Sequence, residues 1–176
     1  MKQYGCGVFT LNNFLSDDEC LYHQASHGEY QAADVRTLKG PKMMTHVRNN
    51  DRVIFTDHAL ASEWFGRIRT SLPQNIDSWS LSGINEQFRL YKYSPGQFFK
   101  WHKDGAYETS EESSFLTLMV YLNADFEGGD TEFRWDKIKP EAGMALVFPH
   151  GLFHQGATIT NGVKYVLRTD IMYMKI

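Results

Sequence analysis

Tyr93-Ser94-Pro95-Gly96-Gln97-Phe98-Phe99-Lys100-Trp101-His102-Lys103-Asp104 is the stretch on which the reading of this chain turns. It leaves Phe88-Arg89-Leu90-Tyr91-Lys92-Tyr93, an alternating run that reads as a strand, through a Ser-Pro-Gly turn. Side chains two apart on an extended backbone leave the same face, so His102 and Asp104 point together. His154 lies fifty residues past Asp104. An imidazole arriving from there completes two nitrogens and one carboxylate oxygen on one face of an octahedral divalent ion, with the other positions open. A His-x-Asp pair by itself is also a common surface feature. His150 competes with His154, because a His-x3-His pair binds metal from one helical face. Pro149 and Gly151 argue against a helix there, so His154 is the expected ligand and His150 a loop residue near the mouth of the site.

The surroundings are β-rich. Phe115 to Asn123, Thr131 to Trp135, Met144 to Phe148 and Lys164 to Met174 read as strands, separated by turn signals at Asp125–Asp130, Pro140–Gly143 and Pro149–Gly151. Several short strands with turns between them predict a sandwich or barrel. Ahead of residue 79 the texture is helical. Ser16 and Glu19 make a capping box for a first helix ending near Gly28, after a short strand at Val8–Leu11. Leu60, Ala61, Trp64, Phe65, Ile68 and Leu72 recur at helical spacing from about Thr56-Asp57 to Pro73. Residues 30–54 read as irregular or extended, with basic clusters Lys39/Lys42 and Arg48/Arg52. A polar loop over 48–52 is a candidate for setting substrate choice. The expectation is one domain over 1–176, with helical support over about 1–78 and a β core over about 79–176.

Composition narrows the function. The net charge of −3 gives no broad basic field, so no nucleic-acid partner is expected. The two cysteines, Cys6 and Cys20, form no CxxC pair or disulfide framework, which makes a reducing cytoplasm the expected compartment. No run approaches the ~18–20 apolar residues of a membrane span.

Taken together, the run from Tyr93 to Asp104, Tyr121-Leu122-Asn123 with Gly128-Gly129-Asp130-Thr131-Glu132-Phe133, and His154-Gln155-Gly156 with Gly162-Val163-Lys164-Tyr165 resemble the Fe(II)- and 2-oxoglutarate-dependent oxygenases, in their prolyl 4-hydroxylase-like branch. The resemblance covers roughly residues 85–174. It implies a mainly β (α+β) fold, a double-stranded β-helix (jelly roll) with two supporting N-terminal helices. It implies His102, Asp104 and His154 as Fe(II) ligands. 2-Oxoglutarate is then a chelating co-substrate, O2 the oxidant and ascorbate a candidate accessory. The far carboxylate of 2-oxoglutarate would meet Lys164, with Tyr121 supplying a hydroxyl and Tyr93 and Thr117 lining the pocket. The implied reaction is C–H hydroxylation of a protein side chain, an amino acid or a small metabolite.

Strand parity adds to this. Lys164, Val166, Arg168 and Asp170 share one face, so Arg168 is a second candidate for the co-substrate, or pairs with Asp170. If Tyr93 faces inward, so do Arg89 and Tyr91, which are candidates for substrate contact. Gly128-Gly129 reads as a turn needing positive φ, and Trp64, Trp79, Trp101 and Trp135 as packing residues, with Trp101 a candidate wall of the metal site. Two other functions stay open: a non-catalytic metal-binding jelly roll that holds a ligand, and an oxygenase that dealkylates nucleic acid.

Overall fold

The computed structural model describes residues 1–37 and 40–176, so Lys39 of the first basic cluster lies outside the described residues. Two antiparallel sheets face each other as a jelly roll. In hydrogen-bonded order the larger holds Lys2–Gly5, Val8–Leu11, Ala145–Pro149, Glu112–Tyr121, Lys164–Lys175, Gln87–Tyr93, Asp51–Thr56 and Gln31–Ala32. Trp79–Ile84 pairs on the far half of Lys164–Lys175. The smaller sheet runs Phe99–His102, His154–Gly156, Thr131–Phe133 and Lys137–Ile138.

The larger sheet is buried on both faces, and strand alternation sorts its side chains into two cores. Phe88, Leu90, Leu116, Leu118, Val120, Leu167 and Ile171 pack outward with Trp64, Ile68 and Leu72. Tyr91, Tyr93, Tyr121, Leu146, Phe148 and Val166 pack inward with Phe133 and Ile138 of the smaller sheet. A β-bulge sits between Ser114 and Leu116. The extra residue reverses parity, so Ser114 faces the interior of the roll while Leu116 joins the outer core.

Both helices form where the sequence signals them. Asp17–Ala25 begins with the complete Ser16/Glu19 capping box. His58–Ile68 begins at Asp57, whose carboxylate accepts from the Leu60 N–H at 2.9 Å. Its apolar stripe buries Leu60, Ala61, Trp64 and Ile68. Phe14 and Phe88 meet the Trp64 ring edge-on at 5.2 and 5.3 Å. Trp64→Ala is expected to cost about 3–5 kcal/mol of unfolding free energy, measured by urea denaturation, because it empties a fully buried site beside Phe14 and Phe88.

The division near residue 79 is less sharp than expected. Val8–Leu11 pairs with Ala145–Pro149, and Asp51–Thr56 with Gln87–Tyr93, so first-half strands extend the sheet on both sides. Arg52 and the exposed Ile54 blur the alternation of Asp51–Thr56, which is why it reads as irregular. Trp135 is no core residue: it is 44% exposed, and its indole N–H donates to the Tyr4 carbonyl at 2.9 Å. Among the described residues no helix is long and apolar enough to cross a membrane.

Candidate active site

His102 and His154 come together because they are cross-strand partners. Phe99–His102 and His154–Gly156 are neighbouring strands, and a bulge between Phe99 and His102 sets His102 opposite His154. Their ring centroids are 4.2 Å apart. Asp104 lies just past the strand, its N–H donating to the His150 carbonyl at 3.1 Å. His102 Nε2 lies 3.6 Å from Asp104 Oδ1, and His154 Nε2 lies 3.8 Å from Asp104 Oδ2. One ligand atom from each residue falls within 4.8 Å of the others.

The donor set fits a divalent metal. His102 Nδ1 bonds the Lys100 carbonyl at 2.7 Å, and His154 Nδ1 the Leu152 carbonyl at 3.0 Å. A carbonyl can only accept, so both imidazoles carry the proton on Nδ1 and turn the Nε2 lone pair to the shared point. Burial, with His102 adding to it, lowers His154 to about 4, so this ring is neutral at neutral pH, the state a ligand needs. Burial would raise the Asp104 carboxyl, but Arg168 and the two histidines hold it well below the usual range. Asp104 is an anion oriented by the Thr117 hydroxyl at 2.6 Å and Arg168 Nη2 at 3.2 Å. The ring against His102 is Phe99, stacked at 3.4 Å, and not Trp101. Trp101 carries the Arg134 guanidinium 4.5 Å from its ring and is absent from the lining of the cavity, because its side chain leaves the other side of the strand.

The metal point opens into a cavity between the sheets, lined also by Tyr91, Tyr93, Thr117, Thr131, Lys164 and Arg168. Lys164 is 3% exposed, and among the described residues no carboxylate lies within ion-pair distance of it. Its ammonium donates to the Gly129 carbonyl and faces the rings of Tyr93, Tyr121 and Phe126 at 5.7, 5.1 and 5.9 Å. Burial lowers it to about 7, against a weaker pull upward from Asp130. The Tyr121 hydroxyl donates to Thr131 Oγ1 at 2.7 Å. A buried cation lining the same cavity as a metal point is able to receive a carboxylate.

The family model for the 2OG-Fe(II) oxygenase superfamily matches residues 88–169, which contain all three metal-point residues and Lys164. Over that stretch the chain resembles this superfamily. It is a 2-oxoglutarate-dependent hydroxylase. A putative prolyl 4-hydroxylase of Acanthamoeba polyphaga mimivirus is 26% identical to it over 182 residues, covering 90% of this chain and 71% of the relative. Two solved structures share the fold. The viral collagen prolyl hydroxylase from Paramecium Bursaria Chlorella virus-1, in its 2OG complex, has a TM-score of 0.63 at 22% identity, with 94% of this chain and 95% of that one covered. A prolyl hydroxylase from Trichoplax adhaerens, in complex with a hypoxia inducible factor peptide fragment, has a TM-score of 0.70 at 15% identity, with 97% and 84% covered.

Three features of the oxygenase site were not legible beforehand. His150 does sit in the turn after Ala145–Pro149, but not at the mouth: it is 6% exposed, and its imidazole meets Thr117, which in turn bonds Asp104. Because the Thr117 hydroxyl donates to Asp104, the 2.9 Å contact with His150 runs from Nδ1–H to Thr117 Oγ1, leaving Nε2 to accept from the Ser114 hydroxyl at 2.9 Å. The bulge at Phe115 that aims Ser114 inward has no clear sequence signal. Gly128 and Gly129 do hold positive φ, +75° and +70°, yet the pair is more than a turn. A Cβ on Gly129 would fall 2.3 Å from Ile159 Cδ1 and 3.3 Å from Lys164 Cδ, so glycine lets its carbonyl reach the Lys164 ammonium. Finally, the polar segment at 48–52 is not a solvated loop. Arg48 and Asn50 are 5% and 0% exposed, and Asp51 and Arg52 start a strand.

Proposed function

We propose that His102, Asp104 and His154 hold one Fe(II) on one face, and that Lys164 takes the far carboxylate of 2-oxoglutarate with the Tyr121 and Thr131 hydroxyls beside it. Bound there, Fe(II), 2-oxoglutarate and O2 supply an oxidant able to take hydrogen from an unactivated C–H bond, with succinate and CO2 as co-products. The observation that carries this reading is the convergence of three ligand atoms within 4.8 Å, with both histidine Nε2 atoms free to donate. The chain's own groups have separate tasks in it. Thr117 and Arg168 fix the orientation of Asp104, His150 braces Thr117, and Phe99 and Phe148 press on the histidine rings and keep water from them. Tyr93 and Met119 wall the cavity, and burial keeps the Tyr93 phenol protonated, its pKa raised to about 12.

Lys164 suits the far carboxylate better than Arg168 does. Arg168 lies 3.2 Å from the metal-point carboxylate, whereas Lys164 sits four residues along the strand, about 13 Å away. The substrate is an amino acid, free or within a peptide, and residues 1–176 act as one oxygenase domain. The relatives' names point to prolyl groups as the first class to assay. The test incubates protein, Fe(II), 2-oxoglutarate and ascorbate with free amino acids and proline-containing peptides, reading succinate and a one-oxygen mass gain together. Succinate without any oxygenated product across both classes would overturn the amino-acid assignment.

Co-substrate binding should depend on pH through Lys164. Its value near 7 in the free protein means that above neutrality the ammonium must regain a proton to meet the dianion. The affinity for 2-oxoglutarate is therefore expected to fall as pH rises above 7, by up to about tenfold per pH unit. Calorimetry with Mn(II) in place of iron measures it, and Lys164→Arg, charged throughout, should flatten the slope.

A further inference from the structure

Arg48 is a buried cation with no anion beside it. Its guanidinium lies between the rings of Tyr91 and Phe99, at 4.5 and 4.4 Å, two walls of the cavity. Nε donates to the neutral Asn50 Oδ1 at 2.6 Å, and the buried Nη2 has no partner. Among the described residues no acid lies within ion-pair distance of it. The position is built: Asn49 N–H bonds the Phe98 carbonyl, Lys100 N–H the Val47 carbonyl and Phe98 N–H the Asn49 side chain, at 3.4, 2.9 and 2.8 Å.

The neighbours deepen the imbalance. Arg168 reaches Asp104 at 3.2 Å and Asp170 at 2.9 Å, and its buried Nε is also without a partner. Arg89 reaches the same Asp170 at 3.4 Å. Arg48, Arg168 and Arg89 all act on the Tyr91 phenol. Once Asp104 serves a metal, Arg168 and Arg89 share the single carboxylate of Asp170, and Arg48 has none within ion-pair distance among the described residues. Buried charges left unmatched are costly, and arginine forks are matched by carboxylates. One 2-oxoglutarate cannot serve both ends of this cavity, since Lys164 stands about 13 Å along the strand from Arg168.

We propose that Arg48 and Arg168, flanking Tyr91, form a pocket for a carboxylate of the substrate, so that the group hydroxylated belongs to a molecule carrying a carboxylate close to the reacting carbon. This rests on the assignment of Asp104 to the metal. It separates a free α-carboxylate or an acidic side chain from a neutral residue within a peptide, which would leave Arg48 buried and unmatched.

The test uses crystals of the full chain with Mn(II) and 2-oxoglutarate, soaked in sodium bromide, whose anomalous signal marks anion sites whatever the substrate scaffold. A bromide peak between Arg48 Nη2 and Arg168 Nε is expected, lost in Arg48→Met and kept in Arg48→Lys. Anaerobic calorimetry on the same complex then compares N-acetyl amino acids with their amides, and Asp- or Glu-containing peptides with their Asn or Gln forms. The first pairs read a free carboxylate, the second an acidic side chain. The acid of a pair should bind about thirtyfold or more tightly, and Arg48→Met should abolish that preference while leaving the affinity for 2-oxoglutarate unchanged. An empty cluster in crystals that hold both Mn(II) and 2-oxoglutarate, or neutral partners binding as tightly as acids, overturns the proposal. Failure of the metal reading would be seen separately, as no Mn(II) at His102, Asp104 and His154.

Discussion

His154→Ala is expected to remove succinate formation and metal binding together while leaving the fold intact. The histidine supplies one of three ligand atoms, and its Nε2 faces the shared point because Leu152 holds the other nitrogen. Replacing residues that merely orient a ligand costs about 10–100-fold in metal affinity, so deleting the ligand should cost more than about 100-fold. Thermal stabilisation by Mn(II) is the cleanest readout, because a ligand that binds only the native state raises the unfolding temperature with concentration. Wild-type protein should gain stability on titration and His154→Ala should not. Equal stabilisation of both would place the metal elsewhere. His102→Ala should behave alike, whereas His150→Ala, which removes only a brace on Thr117, should retain a weakened response.

Lys164→Met should separate co-substrate binding from folding. The ammonium is buried without a carboxylate, so exchanging it for a thioether among Tyr93, Tyr121 and Phe126 removes a desolvated charge. The variant without co-substrate should be at least as stable to urea as the wild type. Its affinity for 2-oxoglutarate should fall by about 100- to 4,000-fold, because one partner of a buried pair is lost, at about 3–5 kcal/mol. Calorimetry with Mn(II) measures the affinity, and succinate assays should show the loss mainly in KM. Retention of wild-type affinity would move the anchor to another cation, and Arg168 would be next to test.

Much of the site was legible because it rests on local rules. Parity put Arg89, Tyr91 and Tyr93 on one face and Lys164, Val166 and Arg168 on another, and in the structure all of these but Arg89 line the cavity. Arg89 reaches the same polar cluster through Asp170. Arg168 was read either as facing the cavity or as pairing with Asp170, and it does both. Thr117 lines the cavity, but its hydroxyl is committed to Asp104 and His150, which makes it a positioning group.

Sequence alone determined the strand faces, both helix starts and the residue types able to grip a metal, because periodicity, capping and ligand chemistry act over a few residues. The tertiary structure decided what lies beneath and beside that grip. The bulge at Phe115 turns Ser114 inward to meet His150, and Gly129 offers its carbonyl to a lysine thirty-five residues on. Arg48 is brought against the cavity-lining rings of Tyr91 and Phe99 by the hydrogen bonds of its neighbours Asn49 and Val47 to Phe98 and Lys100. Each depends on register and on close approach between distant segments, and those are set by packing the whole sheet, beyond the reach of any local pattern.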